Sequence, residues 1–249
     1  MGRGKVSCII PVYNSEEYIE QVVNSALDQC DEVIIVNDKT PDNSMEVLEK
    51  FKDKIRIFEL KENQGCGYAK NFGADKAKYK YLLFMDGDQV LGKDWVKKAK
   101  RGLEGDIVCV GGVRPNPKET FSQKLMHVLL MKNKYDKYPD MIDGVIMTTR
   151  KTFEECGPFF QELKRGGVQK FMKGIHENGY KCKRLDIKSM HLGEPKTFSG
   201  LLKRQWKYGK EELAISKKVS LRKIFEMIIF FRLFGLLGSI TLYRFIVFD

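Results

Sequence analysis

The chain has 249 residues, 43% of them hydrophobic and 31% charged, and its 44 Lys or Arg against 33 Asp or Glu leave a net charge of +11. Such a length makes one large domain, or one domain with an appendage, and so much apolar content excludes a disordered chain. The positive excess calls for an anionic partner: nucleic acid, an anionic membrane surface or a phosphorylated substrate.

The first predicted element is VSCIIPV (6–12), a continuous apolar run that reads as a strand buried on both faces. Only about six apolar residues run together before polar ones resume, fewer than the roughly 7–15 that the core of a signal peptide needs. Asn14, with Glu17 three residues on, reads as a helix start, and Tyr18, Ile19, Val22, Val23, Ala26 and Leu27 follow at helical spacing. EVIIVND (32–38) is a second buried strand, DNSMEVLEKF (42–51) a short helix and KIRIFEL (54–60) a third strand. GYAKNFGADKAK (67–78) is a third helix and YLLFM (81–85) a fourth strand. Strand and helix alternate, which predicts an α/β fold with a mostly parallel sheet and helices on its faces.

Later in the chain, DIVCVGGV (106–113), GVIMTTR (144–150) and KCKRLDI (181–187) read as strands. Residues 119–133 and VQKFMKGIHENGY (168–180) read as helices, the latter with Gly179 near its C-terminus. Six cysteines are scattered without a CxxC pair, so reduced thiols in a cytosolic protein are expected rather than zinc ligands or a disulfide framework.

The tail differs from the rest. Residues 196–223 hold nine Lys or Arg and two Glu, and 14 of the 22 residues from 227 to 248 are Ile, Leu, Phe or Val. That length matches a bilayer span, but Arg232 and Arg244 interrupt it, each costing roughly 2.5–3.5 kcal/mol at a helix centre. Helices lying in the membrane interface fit better. A buried C-terminal helix pair, a dimer interface or a chain ending just ahead of transmembrane helices reads the same way. The expected division is therefore 1–195 as the α/β domain and 196–249 as a basic and apolar helical segment.

In an open parallel sheet, ligands bind beyond the carboxyl ends of the strands. Pro11, Tyr13 and Asn14 follow the first strand, Asn37 and Asp38 the second, and ENQGCGYAKN with Lys70 the third. The fourth is followed by Asp86 and Asp88, with Gly87 between them. Two hard-oxygen donors one residue apart on a turn suit Mg²⁺ or Mn²⁺, which take one or two carboxylates and leave positions for substrate phosphates.

Taken in series, VSCIIPVYNSEEYI, VIIVNDKTPDNS, ENQGCGYAKNFG and YLLFMDGDQVL resemble the motifs of family 2 glycosyltransferases with the GT-A fold. Weaker likeness continues through RKTFEECGPF (150–159) and MHLGEPKTFSGLLKRQWKYGK (190–210). The resemblance implies inverting transfer of a sugar from a UDP- or GDP-linked donor, assisted by Mn²⁺ or Mg²⁺. Pro11 and Tyr13 would line the nucleobase and ribose pocket, and Asp38 would hydrogen-bond the base. Lys70 stands where the family usually has Arg, without the bidentate fork. Asp86 would face the ribose or the metal, Asp88 would ligate the metal and His191 would complete its site. Arg204 and Lys207 fall in a segment that closes over the diphosphate in relatives.

One departure stands out. The Glu-Asp pair that supplies the catalytic base in this family aligns with Gly166 and Gly167, neither of which can take a proton. Glu162 and Asp143 are nearby acids, but no spacing argument places them. Either the acceptor needs no base, or another acid serves, or the chain binds donor without turnover. The expected function is metal-dependent transfer to a polyprenyl-phosphate or lipid-linked acceptor at the cytosolic membrane face. A sugar or other soluble acceptor is the alternative. Nucleic acid is not expected as a partner, because no binding module or set of interleaved stacking aromatics accompanies the charge.

Overall fold

The computed structural model describes residues 4–111, 114–115, 120, 144–159, 168–185, 189–193, 195–197, 199–200, 203–204 and 206. The expected helix at 119–133 and the apolar tail at 224–249 lie outside them, apart from Thr120. By compactness the chain divides into two units, Met1–Asn116 with Asp136–Gly193, and Pro117–Tyr135 with Glu194–Asp249. Every strand described below belongs to the first.

The first half alternates strand and helix. β1 (Val6–Val12), α1 (Ile19–Leu27), β2 (Glu32–Asn37) and α2 (Ser44–Leu48) are followed by β3 (Arg56–Glu59), α3 (Cys66–Lys76) and β4 (Tyr81–Phe84). Then come β5 (Gln89–Val90), α4 (Trp95–Gly102), β6 (Ile107–Gly111), β7 (Arg114–Pro115) and β8 (Ile146–Thr149). α5 (Arg150–Cys156), α6 (Val168–Glu177), β9 (Lys181–Arg184) and β10 (Met190–His191) complete the described set.

The main sheet has the order β3-β2-β1-β4-β8-β6-β9, and β5-β10-β7 form a small second sheet. β1, β2, β3 and β4 pair in parallel. Both faces of these strands are covered, which is why they read as unbroken apolar runs. Cys8, Ile10, Val33, Ile35, Leu83 and Met85 pack on one face with α1 and α4. Ile9, Ile34, Val36, Leu82 and Phe84 pack on the other with Ala69, Phe153 and Phe171.

Three features differ from the sequence reading. Asn14 does not start a helix: it sits in the left-handed region at φ 54, and α1 begins at Ile19. The intervening residues form a turn in which Ser15 O accepts from the Tyr18 and Ile19 N–H groups. β8 runs antiparallel between β4 and β6, a direction that an apolar run does not encode. α4 was not foreseen, although Trp95, Val96, Ala99 and Gly102 present a buried stripe at helical spacing.

The order 3-2-1-4 places a topological switch point between β1 and β4. β1 and β4 pair only as far as Ile9 and Phe84. Met85 N–H still donates to Ile9 O, and Asp38 N–H on the other side donates to Val12 O. Alternation along β1 therefore turns Pro11 toward β4, just past the last rung. A residue without an N–H loses nothing there, and the two strands part into a crevice.

Candidate active site

Four loops meet at this edge of the sheet, and side chains of one pin the backbone of another. After β1, Tyr13 stands 47% exposed. The loop behind it is tied to the loop after β2, because Asn14 N–H donates to Thr40 Oγ1 (2.8 Å) and Glu16 N–H to Asp42 Oδ2 (2.9 Å). Burial raises the Asp42 carboxyl, but hydrogen bonds from Ser44, Thr40 and backbone N–H groups outweigh it and hold the group below its ordinary value.

Asp38 follows directly on β2 and is buried. Its Oδ1 accepts from Gln64 N–H at 2.7 Å and its Oδ2 from Gly65 N–H at 2.9 Å. The carboxylate thus holds the loop that leads into α3. Gly65 makes that turn at φ 90, a conformation that disfavours any side chain.

The turn after β4 separates its two acids. Asp86 is engaged on both oxygens: Oδ1 meets Lys70 Nζ at 2.6 Å and Cys66 Sγ at 3.5 Å, and Oδ2 accepts from Gln89 Nε2 at 2.9 Å. Gln89 Oε1 also accepts from Asp86 N–H at 2.9 Å, so one buried amide clamps the residue front and back. Burial raises the Asp86 carboxyl, and the Lys70 ammonium more than offsets it, leaving the group below its usual range. Burial pushes the neighbouring Cys66 thiol up to about 12.

Asp88 is compensated differently. Its Oδ2 lies 3.1 Å from His191 Nε2, while its Oδ1 is buried without a hydrogen-bond partner. The small sheet makes this pairing: β5 follows the turn directly, and its Gln89 pairs in register with His191 of β10. Leu192 N–H then donates to Asp88 O at 2.8 Å. A carboxylate with one buried oxygen unsatisfied is costly by itself and invites a cation. Adjacent ligand atoms on an octahedral Mg²⁺ lie about 3 Å apart, which is the spacing of this oxygen and nitrogen. The donor set therefore fits a hard divalent cation, with Asp88 and His191 as the pair that would hold it. Among the described residues, no three His, Cys, Asp or Glu side chains converge as a metal-binding group. Asp86 is directed to Lys70 instead.

A family model described as Glycosyl transferase family 2 matches residues 7–157. The chain belongs to that family. It is 26% identical over 244 residues to the glycosyltransferase AglE of Haloferax volcanii, covering 89% of this chain and 78% of that protein. It is 38% identical to the putative teichuronic acid biosynthesis glycosyltransferase TuaG of Bacillus subtilis, over 37% of this chain and 39% of that one. A mannosyltransferase from Pyrobaculum calidifontis, solved with GDP-Man and Mn²⁺, superposes with a TM-score of 0.66 at 18% identity, covering 89% of this chain and 67% of the other. Staphylococcus aureus TarS 1-349, solved with UDP-GlcNAc, gives 0.60 at 20% identity, covering 90% and 69%. The protein is a glycosyltransferase with the GT-A fold.

In this glycosyltransferase, the residues expected at the sheet edge fall into two groups. Pro11, Tyr13, Asp38, Lys70, Asp86 and Asp88 sit at the ends of β1, β2 and β4 and in α3, and His191 joins them through β10. Arg204 lies in the other compact unit. Lys207, Gly166 and Gly167, with Glu162 and Asp143, lie outside the described residues. The sequence reading missed Gln89, Cys66 and Ser15 as parts of the site. Gln89 follows the two acids directly, but only the clamp on Asp86 gives it a role. The closeness of Ser15 to Gly87 was equally hidden: a Cβ on Gly87 would come 2.3 Å from Ser15 Oγ.

Proposed function

We propose that this enzyme transfers a sugar from a UDP- or GDP-linked donor to a membrane-associated acceptor, using Mn²⁺ or Mg²⁺ held by Asp88 and His191. The observation that carries the reading is the Asp88–His191 pair at the switch point, with Asp88 Oδ1 left unsatisfied. The nucleotide-bound fold neighbours support the donor class. A bound divalent cation would neutralise the charge that grows on the leaving diphosphate.

The chain's own residues do the rest. Tyr13 offers an exposed ring for base or ribose, and Asp38 fixes the loop that leads into α3. Lys70, held by Asp86, supplies a fixed positive charge near the nucleotide. A thermal-shift panel of UDP-, GDP- and dTDP-sugars, with and without Mn²⁺, tests the donor assignment. A rise in melting temperature with one nucleotide family that requires the metal supports it, and no metal-dependent rise with any donor contradicts it.

The acceptor reading rests on the sequence. A sugar hydroxyl needs a positioned base to attack, whereas a phosphate monoester is already ionised at neutral pH. Glycines at 166 and 167 therefore suit a polyprenyl phosphate, and the basic residues of 196–223 suit the anionic membrane that carries it. Among the described residues no helix is long and apolar enough to cross a membrane. A soluble or polymeric acceptor is the second reading. TarS of S. aureus, a poly(ribitol-phosphate) β-N-acetylglucosaminyltransferase 29% identical over 52% of this chain, favours it; that match spans 25% of TarS. Transfer to a short polyprenyl phosphate, compared with the polyprenyl alcohol and with lipid-linked sugars, separates the two.

A further inference from the structure

The cation site depends on how closely the strand carrying His191 approaches the acidic turn, and one residue controls that approach. Gly193 lies two positions beyond His191. A Cβ built there would stand 2.1 Å from Asp88 Oδ2, 3.0 Å from its Cγ and 3.2 Å from its Cβ. The whole side chain of Asp88 is in the way, not only its tip. Nor is the backbone of Asp88 free to retreat, since its carbonyl accepts from Leu192 N–H at 2.8 Å. The strands on either side are also fixed, His191 to Gln89 and Met190 to Val90.

We propose that Gly193 is a positioning residue for the cation site: its missing side chain lets the backbone after β10 lie against Asp88, so that Asp88 Oδ2 and His191 Nε2 meet. This rests on the reading of Asp88 and His191 as the pair that holds the metal. With any side chain at 193, one of two things gives way. Either Asp88 rotates off His191, or the backbone of 190–193 lifts and takes His191 with it. Both separate the oxygen from the nitrogen. Neither touches Tyr13, Asp38 or Lys70, so recognition of the nucleoside is left alone. Gly87 plays a different part, because its contact is with Ser15 Oγ rather than with either member of the pair.

The test uses the full chain and Mn²⁺ with UDP and with GDP as probes. Binding of Mn²⁺ is followed by the loss of its free-ion paramagnetic resonance signal, and nucleoside binding is measured separately without metal. Gly193→Ala should weaken nucleotide-dependent Mn²⁺ binding by about 10–100-fold, the usual effect of disturbing what orients a metal ligand, with metal-free nucleoside affinity unchanged. A second measurement is independent of metal. Gly193→Ala should lower the melting temperature in the parent but not in an Asp88→Gly background, where the space it needs is open. Parent-like Mn²⁺ binding in Gly193→Ala, or an equal melting-temperature loss in both backgrounds, overturns the proposal. If the parent binds Mn²⁺ no better than Asp88→Gly does, the metal reading itself fails and the role of Gly193 falls with it; the melting comparison still reports whether the contact exists.

Discussion

The two ends of the central strands each present an acid, Glu32 buried and Asp88 half-buried, and they treat it in opposite ways. At the amino end, Glu32 opens β2 and is fully engaged. Ser7 Oγ donates to its Oε2 at 2.5 Å, Lys78 N–H donates to the same oxygen at 2.9 Å, and Arg56 Nη1 holds Oε1. At the carboxyl end, Asp88 has one oxygen beside His191 and the other without a partner. A carboxylate whose bonds close within the protein stabilises the fold. One whose bonds stay open costs stability and waits for something from outside. Asp86, two residues from Asp88, belongs with Glu32 in this respect, because Lys70 and Gln89 close its bonds. The difference between a closed and an open carboxylate therefore runs through a single turn.

The sharpest way to break the comparison is Asp88→Ala. Removing the open acid should lower turnover by at least about 100-fold and abolish metal-dependent nucleotide binding. The melting temperature should stay level or rise, since a half-buried carboxylate with one unpartnered oxygen is being removed. A large fall in melting temperature would put Asp88 on the scaffold side.

Glu32→Gln probes the opposite end. It should cost about 1–3 kcal/mol of stability and leave nucleotide binding intact. Burial raises the Glu32 carboxyl, but its bonds to Ser7, Lys78 N–H and Arg56 outweigh that and set it below its ordinary value. The sign follows: the stabilisation is complete above the unfolded pKa of about 4.3 and drains away as pH falls through the lower folded value. Denaturant unfolding between pH 3 and 6 should show a slope in the parent that is flatter in Glu32→Gln. Equal slopes would mean that Glu32 is not the group responsible.

Asp38→Asn gives the smallest effect. An amide presents a donor where Gln64 or Gly65 N–H needs an acceptor, so the loop before α3 loosens. Metal-free nucleoside affinity should drop by about tenfold, with the metal dependence of nucleotide binding retained. Unchanged nucleoside affinity would remove Asp38 from the donor pocket.

The first half of the fold was legible because its strands are buried on both faces, and buried strands leave continuous apolar runs. Their ends could be read off directly, and with them Asp38, Asp86 and Asp88. What could not be read was direction and contact. The antiparallel course of β8 leaves no mark on GVIMTTR, and the small sheet that brings His191 to Asp88 is built from strands of two residues. The sequence also treats the two acids of the turn alike. Only the placement of Lys70 and Gln89 shows that one is closed and the other open. Asn14 misled because Asn suits two roles, a helix cap and a left-handed turn, and here it takes the second.

In the proposed site, Asp88 and His191 together would hold a divalent cation against the donor's diphosphate. Pulsed electron paramagnetic resonance of the Mn²⁺–nucleotide complex measures this directly, because a coordinated imidazole nitrogen couples to the manganese spin. The predicted result is a nitrogen coupling in the parent that disappears in His191→Gln, with Mn²⁺ binding itself lost in Asp88→Asn. Mn²⁺ bound as tightly in Asp88→Asn as in the parent, with no nitrogen coupling in either, would contradict it.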